Sequence, residues 1–424
     1  MGAKEEIVAA IAEAVRSLGL DATDVAIVVE RPREASHGDL STPVAMSLAK
    51  KLKQNPLAIA ERLAAAIQLS PDFMSSVEAV RPGFVNFRLA LPVLQRTVPV
   101  VLGEGDQYGR CRDGEGRTMQ VEYVSANPTG PLVIVSARAA SIGNCLLNLF
   151  DACGYGTQGE YYVNDYGKQV EALGESLRFR AKERFATTSP GETIEQYQYP
   201  GAYLTEIASA AEEKDARGWL AGDASAADVG RYASSRLLES IRGDMQAFGA
   251  RFDRFFLESS LHPDAVRITF DRLVVGGHTF EQDGAVFFRS TAFGDDKDRV
   301  IRKADGEPTY FLADVAYHAD KLARGFERAV GLLGPDHHGH VARMQAAMTA
   351  LGARADWLEI IMVGWVRLME GGNVVSMSKR AGEFVTMREL IDDVGVDVAK
   401  YFFLMRRANT PLRQRRTDAC NAFA

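Results

Sequence analysis

No apolar run in this chain reaches membrane-spanning length: the longest, at residues 360–369, is interrupted by Arg367, and a span needs about 20 apolar residues. The four cysteines, Cys111, Cys145, Cys153 and Cys420, form no Cys-x-x-Cys pair. That argues against a zinc ribbon and against a disulfide framework. Internal repeats and low-complexity tracts are also missing, and residues 4–15 read as a charged amphipathic helix rather than a secretory leader. The expectation is a soluble, cytoplasmic protein with no membrane partner. What is present is a chain of 424 residues, 46% hydrophobic and 25% charged, enough for a sizeable core and two or three domains. The net charge of −7 neither supports nor excludes nucleic acid, because binding follows a local basic face rather than the sum. Basic clusters at 50–53, 178–184 and 406–416 read, by pattern alone, as solvated helix faces.

Residues 1–110 read as a small α+β unit, with a Gly-Asp turn at 37–40, helices at 43–53 and 56–68, and strands near 77–80 and 84–89. A polar, glycine-rich segment at 106–117 follows it. From about 114 to 364 strands alternate with helices, which argues for a parallel α/β sheet. Its later strands are expected at 284–289, 299–302, 329–333 and 358–363, and residues 176–256 read as a mostly helical insertion.

The most informative stretch begins with a short apolar strand at 119–124. A turn of breakers follows, Asn127-Pro128-Thr129-Gly130-Pro131, and then helical periodicity over 137–150. A strand feeding a helix through such a turn presents outward N–H groups where a phosphate can sit. The segment resembles the first signature of the class I aminoacyl-tRNA synthetases, and its Asn-Pro-Thr-Gly-Pro lead-in is similar to the arginyl-tRNA synthetases in particular. In that family the turn is followed by His-x-Gly-His. Here Val133, Ile134, Val135 and Ser136 stand in those places, so both imidazoles that would hydrogen-bond the α-phosphate are missing. Losing one preorganised donor to transition-state charge typically costs about 2.7 to 4 kcal/mol, so losing two sets an upper range of roughly 5 to 8. Ser136 is expected to cap the helix instead, and is the remaining polar group at a catalytic position.

A second stretch, Ser376-Met377-Ser378-Lys379-Arg380, resembles the second class I signature, Lys-Met-Ser-Lys-Ser/Arg, with Ser376 replacing its first lysine. In isolation it is a short basic loop; its place downstream of an alternating sheet favours the signature. The resemblance implies that Lys379 neutralises the outer phosphates of ATP, with Ser378 and Arg380 beside it and Met377 against the nucleotide. Gly130 and Pro131 would line the same ATP site.

A guanidinium is planar and permanently charged, so its pocket needs carboxylates and neutral acceptors in bidentate reach. Glu122, Asn127, Tyr310 and Asp314 match family positions that contact arginine. By spacing alone Tyr310 and Asp314, four apart, would read as a core aromatic and a solvated acid on one helix face. The run Gly-Pro-Asp-His-His-Gly-His at 334–340 has no partner carboxylate at metal-ligand spacing, and no metal site is expected there. It is similar to the family's Gly-Ala-Asp-His-His-Gly-Tyr, in which Asp336 and His337 would face substrate and ATP.

The resemblance covers residues 1 to about 412. It implies an N-terminal tRNA-contacting α+β domain (1–110), then a class I Rossmann-type catalytic domain (114–370) with a parallel sheet and the helical insertion. A signature-loop and helical region (371–412) follows. Residues 413–424 are unpatterned, basic at their start, and suggest a truncated or frameshifted end, so the family's helical anticodon-binding domain is expected to be absent. The implied activity is that of an arginine-tRNA ligase, using ATP with Mg2+, arginine and tRNA-Arg, as a monomer, with adenylation impaired. The alternative is an arginine- or tRNA-binding paralogue without catalysis.

Overall fold

The computed structural model describes residues 2–370, 373–374 and 385–415. The chain divides into two compact units, Met1–Gly109 and Arg110–Ala424. The first is a three-stranded antiparallel sheet, Leu40–Thr42, Phe84–Leu89 and Met74–Val80 in that order, covered by helices Ala3–Ser17, Val44–Leu52 and Pro56–Ala66. The Gly-Asp turn has a packing reason. A Cβ on Gly38, at φ +101°, would stand 2.6 Å from the Phe87 carbonyl oxygen, and the Asp39 carboxylate accepts the Leu89 N–H at 2.8 Å.

The second unit is built on a five-stranded sheet whose spatial order is Leu358–Met362, Arg328–Leu333, Thr118–Glu122, Gly156–Val163, Arg254–Leu257. All four pairings are parallel. The first strand in sequence, Thr118–Glu122, is therefore central. The chain builds outward from it to one side, through residues 156–163 and 254–257, then returns to build on the other. The reversal falls between Thr118–Glu122 and Arg328–Leu333, and ligands in open α/β sheets bind in the crevice beyond the carboxyl ends of strands at such a point. Two residues, Glu122 and Gly334, stand at those ends.

Several sequence expectations need correction. The strands expected at 284–289 and 299–302 do not join the parallel sheet. Ala285–Phe288 and Arg299–Arg302 form a separate antiparallel sheet with Thr279–Gln282. The reason lies in Asp283 and Gly284, both at positive φ, which make a two-residue hairpin turn; a parallel pair would need a long crossover. The helical insertion also ends earlier than 256, because Arg254–Leu257 is the edge strand of the main sheet. Near the other end, Leu412–Arg415 pairs in parallel with Val366–Glu370, so ordered structure enters the stretch expected to be unpatterned from 413.

In the insertion the basic run at 178–184 is spent on structure. Arg178 donates to the Ala224 carbonyl, Arg180 to Pro200 O at 2.7 Å, Lys182 to Glu192 at 2.7 Å, and Arg184 to Ala208 O and Ala211 O. Among the described residues no helix is long and apolar enough to cross a membrane.

Candidate active site

The helix that follows the first signature turn starts at Ile134, three residues before the sequence pattern suggested, and runs to Ala152. Val133, extended at φ −99° and ψ 164°, is its N-cap, and no side chain caps it. Ser136 is therefore not the cap but lies inside the first turn, 91% buried. Tertiary pairing has overridden local preference here. Val133 bridges Thr386, Ile134 N–H donates to Val385 O at 3.2 Å, and Met387 N–H donates to Leu132 O at 2.7 Å. Leu132 and Ile134 are fully buried in a cluster with Met387, Leu390 and Phe403, so the apolar run is held by its core side chains and by a backbone partner. With Ser136 N–H turned onto Val133 O at 2.8 Å, two of the helix-start donors are already engaged. The helix end alone is a weaker phosphate site than its sequence implied.

Thr386 is itself an N-cap: its hydroxyl accepts the Glu389 N–H at 3.0 Å while Glu389 accepts the Thr386 N–H at 2.7 Å. Removing the hydroxyl with Thr386→Ala is expected to cost about 1 kcal/mol. Chemical denaturation and loss of amide-exchange protection at Glu389 would register it, and unchanged protection there would contradict the cap's role in holding this edge of the site.

Between the central strand and this helix the backbone passes through Val124 at φ +69° and Ser125 at φ +39°. A β-branched residue at positive φ is strained, and such strain persists only where the surroundings over-determine it. Here the Ser125 hydroxyl donates to Glu122 at 2.9 Å and accepts the Tyr162 N–H at 3.1 Å. Glu122 in turn accepts from Lys321 at 2.5 Å. Lys321 is fully buried, with its ammonium 4.1 Å from the centre of the Tyr317 ring. Sequence reasoning missed Lys321, since a lone lysine in a helix reads as a solvated residue. Asn127 donates to Gln169 at 2.8 Å, which orients its amide and leaves its oxygen for a ligand. Gly130 is buried beneath Tyr203, whose hydroxyl donates to Thr129 O at 2.6 Å; Pro131 is half-buried beside it.

Tyr310 and Asp314 lie one turn apart at the start of helix Tyr310–Ala323. Tyr310 is exposed. The Asp314 carboxylate keeps 37% of its surface, yet protein surrounds it on most sides. Burial, then Glu258, then Glu122 push its pKa from 3.8 up to about 7, against smaller opposing effects of Arg343 and Lys321. Glu258 is also pushed up to about 7, by burial first and by Asp165. Beside its carboxyl lie the Tyr162 hydroxyl, which opposes the rise, and His262 at 3.7 Å. Three carboxylates thus influence one another, while Lys321 is ion-paired with Glu122 and acts on Asp314 only weakly. A cationic ligand would relieve the imbalance.

Across the crevice, Asp336 and His337 are exposed and 3.5 Å apart. They line a cavity of about 630 Å3 with His340, Arg343, Asp295 and Arg299. A cavity of similar size, about 640 Å3, lies in the insertion around Arg178 and Trp219 and shares no lining residue with this one. Met377, Ser378, Lys379 and Arg380 fall outside the described residues. Among the described residues no three His, Cys, Asp or Glu side chains converge as a metal cage.

Two family models match the chain. The arginyl tRNA synthetase N-terminal domain covers residues 4–89, and the catalytic domain of class I tRNA synthetases (R) covers 97–408. The arginine-tRNA ligase of Desulforamulus reducens is 41% identical over 391 residues, 91% of this chain and 69% of that one. The arginine-tRNA ligase of Geobacter sp. strain M21 is 41% identical over 419 residues, 96% of this chain and 75% of its own. Among solved structures, the arginyl-tRNA synthetase of Thermus thermophilus superposes with a TM-score of 0.69 at 19% identity, covering 99% of this chain and 78% of that one, which shows a common fold.

Proposed function

Because this chain belongs to the arginyl-tRNA synthetase family, we propose that it binds arginine between Glu122 and Asp314 and activates it with ATP for transfer to tRNA-Arg, slowly. The observation that carries the arginine reading is the under-neutralised carboxylate group. Asp314 and Glu258 both titrate near pH 7 in the crevice, and a guanidinium placed against Asp314 supplies compensating charge with planar, bidentate geometry. Tyr310 flanks that guanidinium. The arginine α-ammonium reaches Glu122 in competition with Lys321, and the Asn127 oxygen accepts from the same end of the ligand.

In the first step an arginine carboxylate oxygen attacks the α-phosphorus and pyrophosphate leaves. In the second a ribose hydroxyl of the tRNA terminus attacks the carbonyl and AMP leaves. Asp336 and His337 face the nucleotide, Gly130 and Pro131 shape the turn beneath it, and the resemblance of Met377, Ser378, Lys379 and Arg380 to the second class I signature assigns them to its phosphates. Mg2+ enters as the ion that ATP carries. The slow step in this reading is the first, because Val133 offers no donor where charge develops on the α-phosphate and the Ser136 N–H is already engaged.

That same substitution favours a second reading, a protein that holds arginine or tRNA without turning over. Arginine-dependent ATP–pyrophosphate exchange, run with and without tRNA-Arg, separates the two. Exchange above the no-arginine background supports the ligase. No exchange, with arginine still raising the melting temperature, supports the binder, and neither effect refutes arginine recognition altogether.

A further inference from the structure

Helix His340–Ala350 begins directly after the Asp336–His337 turn and brings its first residue against helix Tyr310–Ala323. His340 Nε2 lies 3.5 Å from an Asp314 carboxylate oxygen, and the ring is 88% buried. Its other nitrogen, Nδ1, is met by Arg343 one turn along the helix, whose guanidinium donates to it at 3.1 and 2.8 Å. Phe311 supports both groups. Its ring meets the imidazole edge-on at 6.4 Å and carries the Arg343 guanidinium 5.6 Å from its centre.

This arrangement leaves the imidazole one available proton position. An arginine has only donors, so Nδ1 must accept, and Nε2 must then carry the hydrogen. We propose that His340 is a positioning residue, whose Nε2–H, polarised by Arg343 through the ring, faces the Asp314 carboxylate at 3.5 Å and holds it for a guanidinium ligand. The proposal rests on the reading of Asp314 as the arginine site.

The charged surroundings are consistent with a neutral ring. Burial, Arg343, His337 and Arg299 all disfavour a second proton, Glu122 favours it weakly, and the balance places the imidazole pKa at about 4. Asp314 is faced by Glu258, Glu122, Arg343 and Lys321, while His318, on its own helix, is taken up by the Asp314 backbone oxygen at 2.9 Å. His340 therefore acts as a fixed dipole across the pH range in which Asp314 titrates, and not as a second proton acceptor.

The test uses the full chain and begins without ligand. Imidazole 15N shifts, assigned by the signals lost in His340→Phe, report which ring nitrogen holds the proton. The Nε2–H form, unprotonated down to pH 5, is the expected result. An Nδ1–H form, or an imidazolium forming between pH 6 and 7, overturns the proposal whatever arginine does. Calorimetric titration of L-arginine at pH 8 then compares the parent, Arg343→Met, His340→Phe and the double variant. Each single change is expected to weaken binding about tenfold, the scale of a hydrogen bond to a charged group. Arg343 also acts on Asp314 weakly through space, so the double variant is expected to lose clearly less than the sum of the two single losses. Fully additive losses would mean that the two side chains act on Asp314 independently, and would overturn the linkage. His340→Tyr, which restores a donor, is expected to bind within about threefold of the parent, again on the hydrogen-bond scale. If the parent takes up no arginine while His340 shows the expected tautomer, the arginine reading fails and the Arg343–His340 connection stands.

Discussion

Arginine-dependent pyrophosphate exchange is expected to rise at least about a hundredfold when Val133→His, Val135→Gly and Ser136→His are combined, since each restored donor is typically worth 10² to 10³. The two imidazoles act on one phosphate, so the gain will fall short of the product. The surrounding structure can accommodate the change at Val133, because the core side chains of this run are Leu132 and Ile134, and the bridge to Thr386 is made by backbone. Position 136 is tighter, being 91% buried, so the melting temperature of the variant must be followed alongside. A folded revertant that, like the parent, shows no exchange above background would place the block elsewhere. The stretch 376–380, where Ser376 replaces the family's lysine, would be the next to alter. A parent as fast as its revertant would sink the idea that these imidazoles matter here.

Asp314→Asn should abolish most arginine affinity, on the order of a hundredfold, and yet stabilise the empty protein at pH 8. The affinity loss follows from removing one partner of a desolvated charge pair, which typically costs about 2 to 5 kcal/mol. The stability gain follows from the direction of the titration. The folded carboxyl is raised from 3.8 to about 7, so between those values the folded chain holds a proton that the unfolded chain has lost. Stability therefore falls as pH rises through this window, and the full penalty is present above pH 7. Asparagine removes it, so the melting temperature should rise at pH 8 and change little at pH 4. Arginine binding has the matching dependence, because the ligand needs the ionised form: in the parent it should weaken by up to about tenfold per unit as pH drops below 7. An arginine affinity that stays flat from pH 8 to pH 5.5 would remove Asp314 from the guanidinium site.

The crevice explains why residues so visible in the sequence gave an incomplete account of their own chemistry. Glu122 could be picked out by its place before the Asn-Pro-Thr-Gly-Pro turn, but the lysine that neutralises it is 199 residues away. Asp314 could be picked out by motif, but its raised pKa comes from burial first and then from Glu258 and Glu122 on other elements, and its contact with His340 depends on how two helices pack. The helix start at Ile134 was misplaced because β-branched residues read as poor first-turn formers, whereas backbone pairing with Val385–Met387 decides where that helix begins. The Asp283-Gly284 hairpin turn is itself a local signal in the sequence.

What the sequence determined by itself is whatever depends on neighbours in the chain: alternating strands and helices, the strand-turn-helix unit, and the identity of the residues standing where two histidines would. Turn chemistry, hydrophobic period and residue type act over a few positions, and they are written there. Tertiary structure alone decided which strands share a sheet, which lysine meets Glu122, where the signature helix starts, and that Asp314 is half-protonated near neutrality beside a neutral His340. Those outcomes rest on backbone pairing, desolvation and Coulombic contacts between residues distant in sequence, and all three exist only once the chain has packed.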